Sequence, residues 1–158
     1  MIDKLSRLNL ALLATSGSLA LLLGAFLFQA IGFAPCAMCL WQRWPHAAAI
    51  LIGALFVMWR KHWLLPLGAI AAAITSGLGL YHTGVERDWW EGPTSCTSSG
   101  SNLGSLAGDA LLPSAGAEAI VMCDDVVWQL FGLSMASYNF LFSAGFAVLW
   151  IMAWRKSA

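Results

Sequence analysis

The chain has 158 residues, 59% hydrophobic and only 10% charged, with eight Lys and Arg balanced by eight Asp and Glu. An ordinary soluble domain is about 25% charged, so the composition argues against one, and zero net charge gives no footing for nucleic-acid binding. The length suits a single domain, 1–158.

In chain order, no charged residue lies between Arg7 and Arg43, between Lys61 and Glu86, or between Asp125 and Arg155. Each gap can hold the roughly 20 apolar residues that cross a bilayer. The run from Trp44 to Trp59 becomes long enough if its helix begins near Pro35. The reading is an all-α, four-helix transmembrane bundle with spans at about 8–31, 35–59, 63–83 and 134–154. The first span follows Lys4 and Arg7 as a signal peptide would, but a signal's apolar core is about 7–15 residues long. This run is longer and three more follow, so it reads as an uncleaved anchor.

Lys4, Arg7, Arg60, Lys61, Arg155 and Lys156 fall on one side of such a bundle. The excess of basic residues makes that side, with both termini, cytoplasmic. The other side receives a short connection and one long loop, about 84–133, which carries seven of the eight acids. Within it, 97–105 reads as flexible, and 106–121 either as a short helix on the membrane surface or as an irregular segment touching lipid. Trp59, Trp63, Trp89, Trp90, Trp128 and Trp154 fall near span ends, as interfacial anchors do.

All four cysteines lie on the non-cytoplasmic side, where a bacterial periplasm lets disulfides persist. Of three possible pairings, the economical one is Cys36–Cys39 with Cys96–Cys123. The stretch "APCAMCLWQRW", 34–44, sets Cys36 and Cys39 in the opening turn of the second span, with Pro35 suited to its first turn. Arg43 stands four residues past Cys39, on the same helix face. A helix N-terminus and a guanidinium both favour thiolate, the reactive form.

Blander readings stand beside this one. A structural C-x-x-C disulfide closes too small a loop to stabilise much, and half a zinc site lacks a second closely spaced pair. Haem attachment needs a histidine where Leu40 stands. Arg43 is either a snorkelling interfacial arginine or, as a charge just inside a span, functional. His82, at the outer end of the third span, either hydrogen-bonds backbone and water or donates a proton to an acceptor held there. His46 faces the same side as Arg43 and pairs within the bundle, whereas Glu86, Arg87 and Asp88 read as a solvated stretch.

Three pieces together resemble the bacterial disulfide bond formation protein B family (DsbB): "PCAMCLWQRW" opening the second span, "YHTGVE…GPTSC" leaving the third, and "CDD…W…FGLSMASYN" leading into the fourth. The resemblance implies a protein thiol:quinone oxidoreductase of the bacterial inner membrane. A reduced periplasmic thioredoxin-fold oxidase, DsbA-like, would attack the loop pair at Cys96. Cys123 would exchange with Cys36, and Cys39 would pass two electrons to ubiquinone or menaquinone from the membrane pool. Arg43 and His82 would match the family's quinone-binding positions, and no metal is implied. The best-known members place an acid where this chain has Gln42. The vitamin K epoxide reductase family resembles it less, since its loop cysteines usually precede its C-x-x-C. A tetraspan scaffold with a stapled outer loop, and a branch serving a dedicated partner, are the alternatives.

Overall fold

The structure is a computed structural model that describes residues 6–93 and 121–156. Cys96, the 97–105 stretch and most of 106–121 lie outside the described residues. Four helices are present among those described: α1 (Arg7–Ala30), α2 (Ala37–Trp59), α3 (Leu64–Glu86) and α4 (Met135–Arg155). A two-stranded hairpin, β1 (Gln129–Leu130) and β2 (Leu133–Ser134), precedes α4.

α1, α3 and α4 are each long and apolar enough to cross a membrane. α2 has comparable length at 23 residues, but Gln42, Arg43, Pro45 and His46 interrupt the apolar character of its first half. The helices form an antiparallel ring in which α1 packs on α2 and α4, and α3 packs on α2 and α4. Both ends of the bundle's chain meet, since Arg7 donates to the Lys156 carbonyl at 2.6 Å.

Helix ends follow local chemistry. Ser6 caps α1 by accepting from the Asn9 N–H, and Ser134 caps α4 by accepting from the Ser137 N–H. α2 ends at Arg60, whose left-handed φ of 53° makes the reversal toward α3. In the hairpin, Gln129 pairs with Ser134 and Leu130 with Leu133. Its two turn residues, Phe131 and Gly132, have φ of 50° and 77°, as a two-residue turn matched to strand twist requires. No feature of the sequence reading anticipated this hairpin inside the long loop.

Two buried clusters fill the ring. Near the chain ends, Leu10, Phe56, Leu64, Leu65 and Trp150 form an apolar core. At the opposite end Cys36, Met38, Val85 and Cys123 pack together, with Cys39, Tyr81 and Val121 against them. Small residues allow the close approach that membrane helices depend on. A Cβ on Gly68 would strike the Trp150 ring, and one on Gly79 would lie 2.8 Å from the Phe140 backbone nitrogen.

Candidate functional site

Pro35 does not open α2; Cys36 is the cap, and the helix begins at Ala37. The physical reason is a sulfur acting as the cap acceptor. Cys36 Sγ accepts from the Cys39 backbone N–H at 3.2 Å, the role an N-cap oxygen ordinarily fills, and proline precedes the cap. The capping geometry folds the two thiols together. Cys36 and Cys39 are free, with the Cys36 S–H donating to Cys39 Sγ at 2.8 Å. Cys123, fully buried, is disulfide-bonded. Cys36 lies in one buried cluster with Cys123, against which Cys39 also packs, but only Cys39 lines a cavity.

That cavity encloses about 390 Å³ between α1, the start of α2, the start of α4 and the hairpin segment. Its α1 wall is apolar, from Ala20 to Phe28, and Val127, Trp128 and Leu130 close it from the hairpin side. Trp128 is held there edge-on to Phe28, with ring centroids 5.3 Å apart. The polar wall is one face: Cys39, Gln42, Arg43, His46, His82 and Asn139. A largely apolar pocket of a few hundred Å³ with convergent polar groups is the usual form of a small-molecule site.

Arg43 is on Cys39's face, as four-residue spacing requires, and lines the same cavity. It is tethered to α1, donating to Gln29 Oε1 at 2.7 Å and lying 4.8 Å over the Phe26 ring. Its Nε and the Nδ1 of His46 are buried without hydrogen-bond partners.

His82 stands beside Cys36, Nε2 to Sγ 3.6 Å. The Cys123 backbone also hydrogen-bonds its ring, so the described loop cysteine and the α2 cysteine pair meet at one histidine. Glu86, read from the sequence as solvated, is instead turned inward: its side chain is 7% exposed, accepts from the Ser134 hydroxyl, and lies 3.8 Å from His82 Nε2. One helical turn separates it from His82, which brings both to the same face of α3. Arg87 and Asp88 are exposed, as expected.

His46 pairs within the bundle, donating to Asn139 Oδ1 at 2.7 Å. Gln42 was noted only as a departure from the family's acid and Asn139 not at all; buried or half-buried amides inside otherwise apolar spans were the available signal. They join across the ring, Asn139 Nδ2 to Gln42 Oε1 at 2.5 Å. Cys36, Cys39 and His82 also converge as possible metal donors, their ligand atoms within 4.8 Å of one another. A closed structural zinc site takes four protein donors, and these are three.

Comparison with known proteins adds to this geometry. The family model described as "Disulfide bond formation protein DsbB" matches residues 6–153. A protein named Disulfide bond formation protein B, from Verminephrobacter eiseniae (strain EF01-2), is 30% identical over 148 residues, covering 89% of this chain and 81% of the relative. Another of that name, from Acidovorax sp. (strain JS42), is 27% identical over 158 residues, covering 94% and 87%. No solved structure matches the chain at comparable significance.

Proposed function

The chain belongs to the disulfide bond formation protein DsbB family, and on that premise we propose that it is a protein thiol:quinone oxidoreductase that reoxidises a DsbA-like thioredoxin-fold protein. The observation that carries the reading is the division of labour in α2. Both thiols of a reduced pair pack in or against the cluster that holds disulfide-bonded Cys123, and only Cys39 reaches on to line an apolar cavity.

The partner's thiolate attacks the loop disulfide at Cys96, releasing Cys123 as a thiolate. Cys123 attacks Cys36 of an oxidised Cys36–Cys39 pair and releases Cys39. The partner's second thiol then attacks its mixed disulfide and leaves oxidised. The freed Cys96 thiolate attacks Cys123, re-forming the loop disulfide and releasing Cys36, so that two electrons have passed from the partner to the Cys36–Cys39 pair. The described arrangement, free Cys36 and Cys39 beside a disulfide-bonded Cys123, corresponds to that stage. Each exchange is a two-electron step in which about 30 mV amounts to 1.4 kcal/mol, so small differences between the pairs set its direction.

The cavity's residues fit a quinone. The walls are apolar, and Arg43 Nε, one of the buried polar atoms without a hydrogen-bond partner among the described residues, belongs to a residue lining it and is a donor a quinone carbonyl can accept from. A bound ubiquinone or menaquinone supplies an acceptor for two electrons and two protons, both of which the Cys36–Cys39 dithiol releases on forming its disulfide. Arg43 would hold the acceptor's polar end, with His82 beside the cysteine pair, while α1 and Trp128 exclude water. An isoprenoid tail confines such an acceptor to the bilayer, which explains a reactive pair at the end of a membrane helix. The reading places α2 across the bacterial inner membrane with the other three helices. Both termini are then cytoplasmic, and the cysteines and the 84–133 loop periplasmic.

The test is quinone reduction by purified protein supplied with a reduced thioredoxin-fold partner. Turnover is expected in the wild type and none in Cys36→Ser, Cys39→Ser, Cys96→Ser or Cys123→Ser. Turnover persisting in Cys39→Ser overturns the reading in favour of a stapled scaffold.

A further inference from the structure

The polar network behind the cavity has its hydrogen positions fixed by backbone carbonyls. The Gln42 side-chain NH₂ donates to the Met38 carbonyl at 3.1 Å. A carbonyl accepts only, so this contact orients the amide. The second N–H of that NH₂ faces His82 Nδ1 at 2.9 Å, and Nδ1 must therefore be the bare, accepting nitrogen. A neutral ring then carries its proton on Nε2, where Cys36 Sγ lies at 3.6 Å and Glu86 Oε1 at 3.8 Å. Both are acceptors suited to that N–H, which the Cys123 backbone, also hydrogen-bonded to the ring, shares with them.

Asn139 is oriented in the same way. Its NH₂ lies 3.4 Å from the Thr75 carbonyl and 2.5 Å from Gln42 Oε1. The Thr75 hydroxyl donates to the Gln42 carbonyl at 3.2 Å, leaving its lone pairs toward the Asn139 NH₂ at 3.3 Å. Asn139 Oδ1 consequently faces His46 Nε2 and accepts from it, as it does from Ser143 at 3.1 Å. His46 carries its proton on Nε2 too.

We propose that Gln42 is a positioning residue that locks His82 in its Nε2–H tautomer, making His82 a hydrogen-bond donor to the Cys36 sulfur rather than a base that removes its proton, with Asn139 imposing the same tautomer on His46. A donor at this place stabilises Cys36 whenever it is a thiolate, attacking or leaving. The tautomers follow from the geometry alone; their consequence for exchange at Cys36 rests on the oxidoreductase reading above.

The experiment is ¹⁵N NMR of histidine-labelled, reduced full-length protein in nanodiscs, at a pH where the buried rings are neutral. His62, outside the network and exposed, serves as the reference, and His82→Gln and His46→Gln assign the other two signals. Wild type is expected to show a protonated Nε2 and bare Nδ1 at both His82 and His46. Gln42→Met removes the donor at Nδ1 and should give mixed tautomers at His82. Asn139→Leu should do so at His46 while leaving His82 locked, because Met38 still holds Gln42. In a Cys39→Ser background, alkylation of Cys36 should slow about three- to tenfold on adding Gln42→Met, the worth of one hydrogen bond. A protonated Nδ1 at His82 in the wild type overturns the proposal, and this measurement stands even if a variant fails to fold. An unchanged His82 signature in folded Gln42→Met overturns it as well. Absent quinone reduction with the expected tautomers intact would instead refute the function proposed above and leave the lock standing.

Discussion

The two ends of the bundle are built on different principles. Near the chain ends, the core is Leu10, Phe56, Leu64, Leu65 and Trp150 around small residues, and the interactions are packing alone. At the cysteine end, sulfur, imidazole, amide and carboxyl groups instead contact and hydrogen-bond one another across three helices. The first end tolerates any well-packed apolar set of the right volume. The second does not, because removing one partner leaves another buried and unpaired. The difference separates the half of the molecule that holds the ring together from the half able to do chemistry.

Substitutions can break or sharpen this contrast. The largest effect belongs to Cys39→Ser, which should abolish quinone reduction while leaving thermal unfolding in detergent unchanged; loss of the folded protein would show that the cysteine end is structural. Trp150→Ala, at the opposite end, should cost about 3–5 kcal/mol in an unfolding titration, as core Trp truncations do, and leave turnover per folded molecule intact. Gly79→Ala tests the seam between the ends. Its Cβ would press on the Phe140 backbone, and such overpacking should cost about 1–3 kcal/mol, read by the same titration. Ser134→Ala removes the α4 cap and the donor to Glu86 together, which should cost about 2 kcal/mol. Ser134 also donates to Glu86, so the variant should speed hydrogen exchange at the start of α4 more than anywhere in α1.

Legibility from the sequence followed the range of the interactions. Helix positions were readable because charge gaps and apolar runs are local signals; α1, α3 and α4 begin and end within a few residues of the expected spans. The cysteine pair and Arg43 were readable because three- and four-residue spacings fix a helix face. Glu86 was misread because its neighbours in sequence, Arg87 and Asp88, are exposed, whereas its own partner Ser134 is 48 residues away. Asn139 went unremarked, and Gln42 was noted only as a departure from the family's acid, because an amide becomes informative only when its partner is known, and these two are 97 residues apart. The hairpin escaped notice because Phe131–Gly132 lacks the Asn-Gly or Asp-Gly signature of such turns.

By itself, then, the sequence determined an all-helical membrane chain with Cys36 and Cys39 together at one end of a helix, since bilayer thickness and helical period act over short stretches. Only the tertiary structure decided that Cys36 and Cys123 share a buried cluster while Cys39 also lines the cavity, and that two amides orient two histidines. Those arrangements depend on which side chains from separate helices meet, and burial leaves each of them a single way to satisfy its hydrogen bonds.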